Sequence, residues 1–227
     1  MTVRKNIYAY FLSLAISLLL IPQTAEAQRK KIVEVPDSVP FFRGVAVSAD
    51  LVGLSMVMLS DYGQYEGAVR VNLRDRYFPI VEVGIGKADH TNAMTNLRYS
   101  TSAPYGRIGI DFNLMKNKHD IYRLYGGVRY AYTSFKYDIE HPGVKDPYWG
   151  DVAEFSAKDV KAHYHWAEVV FGVEAKIWGP IHLGWSARYK RRISYKSGDI
   201  GKSWYVPGYG KNGGSRLGGT FNVILEF

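Results

Sequence analysis

This 227-residue chain has six histidines, a scatter of serines and no cysteine, and these set its catalytic possibilities. Without a thiol there is no cysteine nucleophile, no thiolate metal site and no disulfide framework. His163 and His165 stand two apart, and on a strand an H-x-H pair sends both imidazoles to one face, as metal chelation requires. Glu168 falls on the opposite parity, and Asp89, His90 and His141 belong to other segments, so spacing fixes no third ligand. Interfacial histidines account for the pair. His182 and Ser186 offer a base and a nucleophile for lipid hydrolysis. Four residues of extended chain, however, place their Cα atoms about 13 Å apart, beyond hydrogen-bonding reach. Ser55 and Ser156 occupy no G-x-S-x-G turn. GKNGG at 210–214 lacks the full phosphate-loop pattern and reads as a flexible outer loop. The expectation is a non-enzymatic protein with no metal and no cofactor.

The elements that carry these residues alternate. Val69, Val71 and Leu73 oppose Arg70, Asn72 and Arg74; Val81, Val83 and Ile85 oppose Glu82, Gly84 and Gly86. Ile108, Ile110 and Phe112 oppose Arg107, Gly109 and Asp111, and Val169, Phe171 and Val173 oppose Glu168 and Glu174. The same holds near Val45–Leu51 and in 121–137, 181–193 and 216–227, eight segments in all. Period two is the strand signal, because successive side chains leave opposite faces. Soluble strands run to about 5–6 residues. These are roughly twice that, as long as the about 9–11 tilted residues that cross a bilayer. The expected fold is therefore all-β, an eight-stranded antiparallel transmembrane up-and-down β-barrel.

The connections support this layout. Asp75–Pro79, Lys116–Asp120 and Gly179–Pro180 are short, while 56–64, 88–104, 138–161 and 194–214 are long. Short turns at one end and long loops at the other suit an outer-membrane barrel with periplasmic turns and outer loops. Tyr77, Phe78, Tyr122, Trp178 and Phe227 gather near the short turns as an aromatic girdle. Residues 1–27 have a charged start at Arg4 and Lys5, an apolar run from Tyr8 to Ile21 and an Ala25-Glu26-Ala27 cleavage site. That is a secretory signal peptide. Residues 28–42 form a periplasmic lead-in, and 43–227 the barrel. The net charge of +8 then concerns lipid headgroups and glycolipid, since an exported chain does not meet nucleic acid.

Several stretches carry a resemblance: YEGAVRVNLRDRYFPIVEVG (65–84), HWAEVVFG (165–172), GWSARYKRR (184–192) and YVPGYGK (205–211). They resemble an uncharacterised family of outer-membrane β-barrel proteins from Bacteroidota, over nearly all of the chain beyond the signal. The resemblance implies fold and location and supplies no catalytic residues. The terminal Phe227 is also similar to the carboxy-terminal signature that such barrels present to the barrel-assembly machinery.

One parity carries the charges. An eight-stranded barrel is only wide enough to be filled by side chains, so these should interlock rather than line a pore. The candidate lumen network is Asp50, Glu66, Arg70, Glu82, Arg107, Asp111, Arg129, Glu168, Glu174 and Arg188. Residues 51–59, LVGLSMVML, break the alternation. Read as strand they aim Val52, Leu54, Met56 and Met58 into the upper lumen or the first loop, a candidate apolar vestibule. Lys190, Arg191, Arg192 and Lys196 form a basic rim at the outer end of the seventh segment, either simply solvated or meeting glycolipid phosphates. The reading is a non-enzymatic barrel that supports the envelope or binds through its outer loops. The alternative is a carrier or binder of a hydrophobic solute, and a lipid-modifying enzyme comes third. The sequence does not name the ligand.

Overall fold

A computed structural model describes residues 40–145, 152–196 and 200–227. The expected signal segment, 1–27, and the expected lead-in before Pro40 lie outside the described residues. Eight long strands alternate in direction: β1 (Phe42–Asp50), β2 (Tyr62–Leu73), β3 (Tyr77–Thr91), β4 (Arg98–Asn113), β5 (Tyr122–Lys145), β6 (Val152–Trp178), β7 (Ile181–Lys196) and, at the chain end, β10 (Ser215–Glu226). A two-stranded ribbon of β8 (Tyr205–Val206) and β9 (Gly210–Lys211) lies between β7 and β10. Each strand of the eight pairs with its sequence neighbour, and β10 pairs with β1, closing the ring. Closure satisfies every edge where the pairing is complete. Val45 and Phe227 exchange both backbone hydrogen bonds at 3.0 and 2.9 Å, pinning the seam at the short-turn end.

Three expectations are corrected. Residues 51–59 form a helix, α1 (Leu51–Leu59), rather than the upper half of a strand. Asp50 is its N-cap, accepting from the backbone N–H of Val52 at 3.0 Å and Gly53 at 3.1 Å. A capped first turn satisfies donors that a strand would have to pair laterally. A run apolar on both parities has no clear period of its own, so the cap decides. The stretches 88–104 and 138–161 are mostly strand rather than loop: β5 has 24 residues and β6 has 27, far more than a bilayer needs. Phe78 leaves the girdle. It is 1% exposed and lies inside, beneath the guanidinium groups of Arg70 and Arg123 at 5.0 and 5.3 Å. Tyr77, Tyr122, Trp178 and Phe227 do face outward.

The long strands reverse their polarity partway along. In the half nearer the short turns, β3 puts Val81 and Val83 outside and Glu82 inside; β6 puts Val169, Phe171 and Val173 outside and Glu168 and Glu174 inside. Further along, β4 buries Tyr99 and Ala103 and exposes Arg98 and Ser102; β5 buries Phe135 and Tyr137 and exposes Ser134 and Lys136. The lower interior is thus charged and its exterior apolar, while the upper interior is aromatic and its exterior polar. Inward parity is kept along β6 from Glu174 to Ala162, although the β6–β7 pairing shifts register between His165 and Trp166.

Candidate functional site

The lower interior holds two linked ionic clusters. In the first, Arg129 grips Asp111 with both terminal nitrogens at 2.7 and 2.9 Å and donates through Nε to Glu82 at 3.1 Å. Arg188 reaches Glu82 at 2.8 Å and Glu66 at 3.1 Å. Arg107 donates to Glu66 and Glu82, and its Nε lies 3.0 Å from Glu168. Tyr105 Oη donates to Glu66 at 2.6 Å, and Trp166 Nε1 donates to Glu168 at 2.6 Å. In the second cluster, Glu174 accepts from Arg70, Arg123 and the His182 ring, while Glu226 accepts from Arg123 and from Asn72. Charge-assisted bonds of this density offset the desolvation of buried ions, whereas a lone ion there would be strongly disfavoured.

All ten sequence-chosen network residues are buried. The structure brings Glu66, Glu82, Arg107, Asp111, Arg129, Glu168 and Arg188 together, and puts Arg70 with Glu174 in the neighbouring cluster. Asp50 joins neither; it caps α1 and accepts from the backbone N–H of Phe221 at 3.2 Å. Arg74, Lys176 and Arg216, which share the charged parity, are exposed. Asp75, in the β2–β3 turn, closes the short-turn end. Burial alone would raise its carboxyl, but hydrogen bonds from His119 and Asn72 and the charges of Arg43 and Arg123 hold it below the usual carboxylate range. A void of about 30 Å³, room for about two waters, lies among these groups.

The upper interior is closed by a segment that alternation does not reveal. Residues 203–209 turn into the mouth, with Tyr205, Val206 and Tyr209 at most 2% exposed. They pack against Tyr99, Tyr105, Phe135, Tyr137, Tyr164 and Trp166. Tyr99 Oη donates to Tyr205 O at 2.7 Å. The Gly208 carbonyl accepts from Arg107 Nη2 and from Lys190 Nζ, each at 2.7 Å, so the plug is bolted to the ionic floor. Gly208 has φ +78°, and a Cβ there would come 2.5 Å from the Tyr105 ring. Only glycine fits. Residues 203–209, part of the long connection expected over 194–214, are thus packed into the interior.

Other candidates separate. His163 and His165 face outward, with their Nδ1 atoms 3.2 Å from Tyr132 Oη and 2.7 Å from Tyr130 Oη. His182 bonds Glu174 while Ser186 bonds Thr220, so no base–nucleophile contact forms between them. Glu174, His182 and Glu226 converge closely enough to hold a cation, but Arg70 and Arg123 already neutralise these carboxylates. Of the vestibule residues, Met58 is 76% exposed. Helical spacing instead brings Val52 and Met56, i and i+4, to one face, where both line an outer cavity of about 570 Å³. Lys190 belongs inside, not on the basic rim; Arg191 and Lys196 stay exposed.

The chain belongs to the family described as Domain of unknown function (DUF6048), which it matches over residues 7–227. No curated protein and no solved structure matches it.

Proposed function

We propose that the protein is an exported outer-membrane barrel, non-enzymatic and non-conducting, whose work is binding at its outer end. One observation carries the reading: the ring is inside out in its lower half. Outward residues such as Val83, Ile108, Phe171 and Trp185 are each more than half exposed, while the interior beside them holds the arginines and carboxylates. A soluble barrel would leave that continuous apolar belt in water, where patches of this size do not persist on monomers. Lipid reverses the preference. The aromatic residues Tyr77, Tyr122 and Trp178 at the lower margin, and Tyr130 and Tyr132 at the upper, suit the two interfaces. The signal-like segment at 1–27 gives the export route.

Filling argues against transport through the lumen. Among the described residues the ionic clusters occupy the lower interior and the tyrosine plug the upper, and the exposed polar ends of β3 to β6 become the working surface. The alternative, a binder of a hydrophobic solute, draws on the cavity beside Val52 and Met56. Membrane fractionation with a heat-modifiability gel tests the reading. The expected product sits in the outer membrane and migrates differently after boiling; a soluble periplasmic product overturns it.

A further inference from the structure

The ring is incomplete on one side. β10 pairs with β1 only from Asn222 onward, whereas its pairing with β7 starts at Ser215. Where β1 would continue, the chain has turned into α1. Among the described residues, the β10 edge from Ser215 to Phe221 therefore has no strand partner on the β1 side. α1 packs against β10 and Asp50 accepts from the Phe221 N–H at 3.2 Å, but the edge above has no ladder partner, and backbone left open to hydrocarbon is strongly disfavoured.

The cavity of about 570 Å³ lies at this gap and wraps the edge of β10. Leu217 lines it from the outward face, together with Trp185 of the apolar belt; Arg216 and Gly218 line it from the inward face, together with Lys190. Met56 of α1 forms the opposite wall. The lining is apolar toward the belt and cationic toward the mouth, where Lys190, Lys211 and Arg216 gather. Among the described residues none of these three has a carboxylate within salt-bridge distance: Lys190 donates to two plug carbonyls, Lys211 lies over Tyr62 and Trp204, and Arg216 donates to Lys211 O. Asp50 is the one acidic group in the lining, and it is engaged in capping α1. Gly218 keeps the slot open, although the fold does not require glycine there. A Cβ at Gly218 would approach Lys190 Cε no closer than 3.6 Å, ordinary van der Waals contact.

We infer that this side slot binds an anionic membrane lipid entering from the bilayer. Its phosphate meets Lys190, Lys211 and Arg216, and an acyl chain lies along Leu217, Trp185 and Met56. The charge imbalance selects the anion, and the opening toward the apolar belt selects a lipid over a water-borne phosphate. The inference rests on the membrane reading above, but its test is separable from it.

Purified protein in neutral detergent is titrated with dioleoyl phosphatidylglycerol or dioleoyl phosphatidylcholine and followed by native mass spectrometry. One phosphatidylglycerol should bind saturably, and phosphatidylcholine about tenfold or more weakly. Gly218→Leu should remove the bound lipid while the thermal midpoint holds. Lys211→Ala with Arg216→Ala, both exposed positions, should weaken phosphatidylglycerol about tenfold without touching the interior. Equal binding of the two lipids overturns the inference, as does phosphatidylglycerol binding unchanged by Gly218→Leu. A soluble product on fractionation overturns the membrane reading; loss of lipid selectivity in an outer-membrane product overturns only the slot.

Discussion

Two halves of the same strands solve opposite problems. Along β6, Glu168 and Glu174 point inward with Val169 and Phe171 outward, and higher up Tyr164 and Ala162 point inward with His163 and Lys161 outward. The lower half resembles a core in which ion pairs replace hydrocarbon, and the upper half an ordinary soluble core. On the membrane reading proposed above, the surroundings, rather than the fold, decide what an interior contains. Where the outside must be apolar, charges are confined within and must satisfy one another; where the outside is wet, the interior reverts to aromatic packing. The two meet at Gly208, whose carbonyl takes hydrogen bonds from Arg107 and Lys190.

The comparison breaks most sharply at Glu82, which pairs with Arg107, Arg129 and Arg188. Glu82→Ala leaves three buried guanidinium groups short of a carboxylate and should cost about 3–5 kcal/mol, read from reversible unfolding out of lipid vesicles. A loss no greater than that of an exposed substitution would mean the network carries little of the stability.

A smaller effect is expected from the plug. Replacing 203–209 with a glycine–serine linker should expose the outer hairpins to protease and shift the whole-barrel midpoint less than Glu82→Ala does, because Arg107 and Lys190 lose only plug carbonyls while the ion pairs below keep their carboxylates. Planar-bilayer recordings of that variant should still show no steady current. Stable channels would mean that the plug, not the ionic floor, seals the barrel.

The smallest effect concerns Asp75. Its carboxyl lies below its unfolded value, so its contribution is present above about pH 4 and fades as pH falls through the lower folded value. Asp75→Asn should therefore be less stable than the parent at pH 7, with the gap closing in strong acid. A gap that is constant with pH would place the effect in shape rather than charge.

How much of this the sequence discloses follows from the same two halves. Lower alternation is legible because outward-facing valines and isoleucines sit opposite charges, so strand number, parity and the network residues can all be read. The outer extensions of β5 and β6 are not, because Ser134, Lys136 and Asp138 face water and look like loop. The helix at 51–59 is hidden by a run that is apolar on both parities, with only Asp50 before it as a signal. The plug is a tertiary object: Tyr205 and Tyr209 make sense only against Tyr99, Tyr105 and Tyr164, which come from distant strands. Pairings such as Arg70 with Glu174, 104 residues apart, need the ring to be closed first.

The central claim, that the belt of the lower half faces lipid, is tested most directly at Ile108, which is 61% exposed on β4 opposite Val81 and Tyr130. Unfolding of Ile108→Arg from phospholipid vesicles should show a loss of about 2–4 kcal/mol, as for a charge near the bilayer midplane. A change within about 0.5 kcal/mol, the range of a water-exposed surface substitution, would contradict the account.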